Sequence, residues 1–187
     1  ARPAIDSDTP GVALAPLGDD EMPAAITRVR DALDLLATAA PELAAEFDAL
    51  VRQVVLVRSA PESESDFGGA SSFHLWGAIF LNADRHLGRV AMAEGLVHEA
   101  AHLLLFGAAG GERLVENDEA DRFASPLRDD PRPLDGIAHA TFVLARMAYC
   151  AGRLAASDAL TPAERTEAAA ALARHREQYA DGAKVLA

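Results

Sequence analysis

The stretch RVAMAEGLVHEAAHLLLFG, residues 89–107, decides how the rest of the chain is read. It is apolar nearly all round a helical wheel, and a helix of that kind is buried. Inside it stands the pattern H-E-x-x-H, as His98, Glu99 and His102. With a repeat of about 3.6 residues, the two histidines share one face one turn apart, where both imidazoles can reach one ion. Glu99 lies about 100° round the axis, beside that ion, where it can touch a bound water or a substrate atom. Two histidines and a glutamate on a buried helix need partners, because burying them unpaired is costly. A divalent metal ion satisfies all three. Gly107, Gly110 and Gly111 end the helix.

Working outward, 22–39 carries Ile26, Val29, Leu33 and Leu36 at helical spacing, and a second helix is expected after Pro41. Residues 54–57 and 77–81 read as strands, with a polar Gly/Ser-rich loop over 59–72 between them. Beyond the metal helix, 112–124 is expected to be a helix with an acidic exposed side. Residues 125–133 hold three prolines and are not a regular helix. A long apolar helix is expected over 134–156. The last helix has Thr161 as N-cap, Pro162 in the first turn and Glu164 completing a capping box. Residues 1–20 are rich in Pro, Asp and Gly and read as an extended or flexible arm, leaving 21–187 as one metal-binding domain. The predicted fold class is α+β, predominantly helical, with a small antiparallel sheet beside the central helix.

Composition narrows the function classes. The chain has 187 residues, half of them hydrophobic, with few aromatics and a formal net charge of -12. It is expected to be soluble and to repel nucleic acid and anionic membrane. No stretch reaches the ~20 apolar residues of a membrane span. Cys150 is the single cysteine, so no internal disulfide forms and a cytoplasmic setting is expected. It sits in an apolar run and reads as core. His74, His86 and His175 lie in or near polar stretches and read as surface or supporting residues, with His175 on the exposed face of the last helix.

The metal needs a third protein ligand. One candidate set is Glu116, Asp118 and Glu119 in VENDEAD (115–121), which also reads as a solvated face. The other is His139, in the first turns of an apolar helix just after the proline-stiffened loop. His139 is preferred, because a metal helix short of a ligand raises a histidine that would otherwise read as core.

Four features occur in order: GAIFLN (77–82), LVHEAAHLLL (96–105), SPLRDDPRPLDG (125–136) and His139. Together, over about residues 20–160, they resemble the α-ketoglutarate-dependent H-E-x-x-H-type peptide β-hydroxylases encoded beside ribosomally made peptide natural products. The resemblance implies iron(II) on His98, His102 and His139, α-ketoglutarate as cosubstrate and a precursor peptide as substrate, with Glu99 in the catalytic site. An octahedral ion with three protein ligands keeps three positions open, enough for a chelating keto acid and dioxygen. The far carboxylate of the keto acid suits a planar guanidinium fork. Arg128 and Arg132 are the candidates, and Arg132 is preferred for its place in the stiffened loop. The alternative is that Asp129, Asp130 or Asp135 pair with these arginines to hold the loop. The strand at 77–81 is expected to border the cleft and to offer its edge to an extended peptide. Two other readings stay open: a zinc peptidase with Glu99 as general base on zinc-bound water, and a non-catalytic metal-containing module that binds a peptide.

Overall fold

The structure, a computed structural model, describes residues 13–61, 63, 67–110, 112–118 and 120–187. The arm expected over 1–20 lies outside the described residues up to position 12. The chain divides into two compact units, one up to Leu103 and one from Leu104.

The first unit holds β1 (Leu14–Pro16), α1 (Met22–Ala39), α2 (Pro41–Leu50), β2 (Gln53–Ser59), β3 (Gly69–Ser71), a 3-10 turn at Phe73–Leu75, β4 (Ala78–Asn82) and most of α3 (Arg89–Ala109). Ala25, Val29, Ala32 and Leu36 recur at helical spacing and form the buried side of α1. The strands form one mixed sheet in the order β1-β2-β4-β3. β2 runs parallel to β4, with Val55 opposite Phe80, while β1–β2 and β3–β4 are antiparallel.

The sheet is therefore mixed, where an antiparallel one was expected, and β3 is the reason. The chain reverses once between β2 and β3 and again between β3 and β4, so β2 and β4 point the same way. β3 is only Gly69-Ala70-Ser71, three residues of low strand propensity inside a stretch that reads as loop. Without it, two successive strands read as a hairpin. β1 lies in what reads as an extended or flexible arm.

The second unit holds the end of α3, then α4 (Leu134–Ala155) and α5 (Pro162–Leu186). The described residues of 112–133 contain no helix, contrary to the expectation for 112–124. The acidic side chains there compete with helical hydrogen bonding: Asp118 Oδ1 accepts from the Ala120 amide at 2.9 Å. The segment closes instead through a two-residue bridge, with Phe123 and Arg132 exchanging both backbone hydrogen bonds at 2.9 Å. α5 starts as its capping box requires: Thr161 Oγ1 accepts from the Glu164 amide at 3.3 Å, and Glu164 Oε2 accepts from the Thr161 amide at 2.9 Å. Cys150 is buried, as expected.

His175 is not on an exposed face; it is only 3% exposed. It belongs to a stripe with Ala168, Ala171 and Gly182, the small-residue side of α5 that packs toward α4. Close approach sets that stripe. A Cβ at Gly182 would collide with Thr141 Oγ1 and lie 3.3 Å from Pro126 Cγ. Among the described residues, no helix is long and apolar enough to cross a membrane.

Gly182→Ala tests this packing. Alanine is the better helix former, by about 1 kcal/mol, yet the collision is expected to win and to destabilise the chain by about 1–3 kcal/mol. Adding Thr141→Ala, which removes the colliding oxygen, should recover much of the loss in chemical denaturation. A Gly182→Ala chain more stable than the parent would refute the close approach.

Candidate metal centre

α3 is buried through Leu96, Val97, Ala100, Ala101 and Leu103, and that burial fixes the rotation of the helix. His98 and His102 then emerge on one side, half-buried, with their Nε2 atoms 3.2 Å apart and ring centroids 5.0 Å apart. Metal–nitrogen bonds of ~2.1 Å meeting at roughly 90–110° hold two nitrogens ~3.0–3.4 Å apart. The pair thus has the separation of two imidazoles on one ion, in either octahedral or tetrahedral geometry. In metal-free protein the same distance permits one imidazole to donate to the other, in opposite tautomers.

Glu99 lies beside them and is 2% exposed. Its Oε1 is 3.8 Å from His98 Nε2. Burial pushes the carboxyl up to about 8, against the Ser71 hydroxyl, whose hydrogen bond lowers it. Among the described residues, Oε2 has no hydrogen-bond partner. A buried carboxyl oxygen left without a donor, next to two convergent imidazoles, fits a site completed by a metal ion and the water it carries.

β3 forms one wall of this site. Gly69 and Ser71 are two residues apart, so they face the same side of the sheet, and that side meets Glu99. Ser71 supplies the hydroxyl. At Gly69 an ideal Cβ would touch Glu99 Oε1 and lie 3.0 Å from its Cδ. Glycine is the one residue that leaves the carboxyl room. Neither residue was picked out in the sequence, because Gly-Gly followed by Ala-Ser-Ser carries the signal of a loop. Among the described residues β3 is also an edge of the sheet, whereas β4 is paired on both sides. The edge expected at 77–81 therefore belongs to 69–71.

In the second unit, His139 stands in the second turn of α4. Its Nε2 is 3.6 Å from Asp135 Oδ2 and its ring 5.8 Å from that of Phe106. Asp135 Oδ1 also accepts from the Leu114 amide at 3.4 Å. Arg132 is engaged by Asp130, with Nε 3.0 Å from Oδ2 and Nη2 3.3 Å from Oδ1. That is the carboxylate pairing weighed above as the alternative role for this arginine. Arg128 is exposed, and its backbone amide donates to Ser125 Oγ at 3.2 Å. Glu116 and Asp118 are exposed, and Glu119 lies outside the described residues. Among the described residues, no group of three or more His, Cys, Asp or Glu side chains is arranged to hold a metal ion. His74 is exposed, and His86 is half-buried against the head of β3.

Comparison with models of protein families, and with curated proteins, gives no match.

Two outcomes are expected. Metal per chain should fall close to zero in His98→Ala and in His102→Ala; unchanged stoichiometry in both would remove the metal centre. The second concerns metal-free protein. Glu99 keeps its proton in the folded chain to about pH 8 but ionises near its ordinary 4.5 when unfolded. Its contribution to stability is therefore complete below about pH 4.5 and is lost as the pH rises toward 8. In the presence of a chelator, the melting temperature of the parent should fall across that window more steeply than that of Glu99→Gln. Parallel profiles would mean the carboxyl is not held protonated.

Proposed function

We propose that this chain is an iron(II)- and α-ketoglutarate-dependent dioxygenase that hydroxylates a peptide side chain at Cβ, in the modification of a ribosomally made peptide. The observation that carries the metal part is the convergence of His98 and His102 beside the buried Glu99. The choice of an oxygenase rests on the resemblance of GAIFLN, LVHEAAHLLL, SPLRDDPRPLDG and His139, taken in that order. A cytoplasmic setting goes with this reading.

The chemistry such a centre would supply is oxidation by dioxygen, which takes two electrons from the keto acid, giving succinate and carbon dioxide, and two from the substrate C–H bond, giving the alcohol. The chain supplies position. His98 and His102 hold the ion, and His139 is the third ligand the resemblance implies. Glu99 holds or accepts a proton at its Oε2 and orients water or substrate. Arg132 or Arg128 takes the far carboxylate of the keto acid; at Arg132 this carboxylate would share or displace Asp130.

β3 is the natural place for an extended peptide. Gly68 accepts from the Asn82 amide at 2.9 Å, so in the alternating antiparallel pattern the backbone groups of Gly69 and Ser71 point away from β4. A peptide residue paired opposite either of them carries its side chain on the face where Glu99 lies.

One observation favours a second reading, a metal-dependent peptidase. Glu99 is buried beside the histidine pair, with Oε1 3.8 Å from His98 Nε2, a place that suits a general base taking a proton from metal-bound water.

The two readings separate in one experiment. The chain is loaded anaerobically with iron(II) and α-ketoglutarate, exposed to oxygen, and assayed for succinate with and without candidate peptides. Succinate that requires all three components is expected, with Glu99→Gln retaining turnover within about tenfold. A peptidase would lose on the order of 10²–10⁴-fold in that variant. Arg132→Glu should weaken keto-acid binding without emptying the metal site, and His139→Ala should empty it. Peptide cleavage with zinc alone, and no succinate under any condition, would decide for the peptidase.

A further inference from the structure

His86 sits in the turn between β4 and α3, and its ring is wedged among three backbone neighbours. Nδ1 is 3.1 Å from the Ala91 carbonyl oxygen in the first turn of α3. Nε2 is 3.0 Å from the Gly68 carbonyl oxygen, at the head of β3. The third neighbour is Gly95, one turn further along α3. A Cβ there would lie 2.7 Å from His86 Cε1 and 2.9 Å from Nε2. Glycine is the costliest ordinary residue inside a helix, and at position 95 it is explained by the imidazole that fills the space of its missing side chain.

The carbonyl of Gly68 is a junction. It accepts from the Asn82 amide, which ties β3 to β4, and it faces His86, which ties β3 to α3. The next residue, Gly69, lies against the Glu99 carboxyl, and Ser71 hydrogen-bonds to it. Glu99 belongs to α3 itself. The ring of His86 therefore spans the two elements whose separation sets the space around that carboxyl.

We propose that His86 is a positioning residue for Glu99: it fixes the head of β3 against the first turns of α3, and so sets the wall formed by Gly69 and Ser71. The role of Glu99 in catalysis rests on the function proposed above; the mechanical link does not. Burial holds the imidazole below the ordinary histidine range, opposed by the two carbonyls and Glu94, which raise it, and assisted by Arg85. The neutral ring has one N–H, so its packing against Gly95 contributes to the link as well as its hydrogen bond.

Hydrogen exchange on the full metal-free chain tests this. In His86→Ala, the Asn82 amide bonded to Gly68 should exchange at least tenfold faster, and Gly95→Ala should do the same by expelling the ring. The double variant should exchange no faster than His86→Ala alone, because the alanine at 95 harms only through the imidazole. A ring that merely fills space beside Gly95, without holding Gly68, would leave exchange at Asn82 as in the parent. If His86→Ala fails to fold, His86→Gln takes its place in the same cycle. Cobalt(II) gives the second readout: its d–d spectrum at the histidine pair should change in His86→Ala and stay as in the parent in Thr27→Ala, at an exposed position of α1. Unchanged exchange at Asn82, or additivity in the cycle, overturns the proposal. If the parent binds no cobalt, the metal reading fails, and the exchange cycle still decides the role of His86.

Discussion

A carboxyl group buried beside two imidazoles constrains everything near it. Glu99 is 2% exposed, and an acid so placed needs either its proton or a cation. The structure is built around that need. α3 is apolar on most sides because it runs through the core, and this fixes which way His98, Glu99 and His102 face. β3 has no side chain where it meets the carboxyl and a hydroxyl two residues later. A larger residue at Gly69 would push the acid out of place, and without Ser71 the acid would lose its one identified donor. The same economy of space recurs one turn earlier on α3, where Gly95 makes room for His86.

Much of the fold was legible because its helices carry strong local signals. α4 and α5 begin where the proline-rich loop ends and where the Thr161 box caps, and α3 follows from an apolar run with terminal glycines. What escaped depends on pairing between distant residues. β3 has no strand propensity of its own and exists because Asn82 and its neighbours offer it a ladder. Missing it turned a parallel pair into an expected hairpin and placed the open edge on the wrong strand. Residues 112–124 have helix-forming composition, but Asp118 diverts the backbone into a turn. His175 is flanked by arginines that suggest water, yet the register of Ala168, Ala171 and Gly182 carries it inward.

The candidate site divides in the same way. The H-E-x-x-H spacing is a property of one helix, so its consequence, two nitrogens 3.2 Å apart, could be read from three letters. The wall facing Glu99 comes from a strand about thirty residues away along the sequence, and only the folded chain brings it there. Arg132 illustrates the limit of reading charge from sequence. Its planar fork suits a keto-acid carboxylate, and in the structure that fork meets Asp130, two residues away. Nearby residues compete first for such a group.

The most direct test of the central claim is X-ray absorption at the iron edge on the iron(II)-loaded chain, before and after α-ketoglutarate is added. At least two imidazole ligands are predicted, lost together in a His98→Ala/His102→Ala chain, with the signature of a chelating keto acid appearing on addition. An iron environment of oxygen ligands alone, identical in parent and double variant, would contradict a metal centre on this helix.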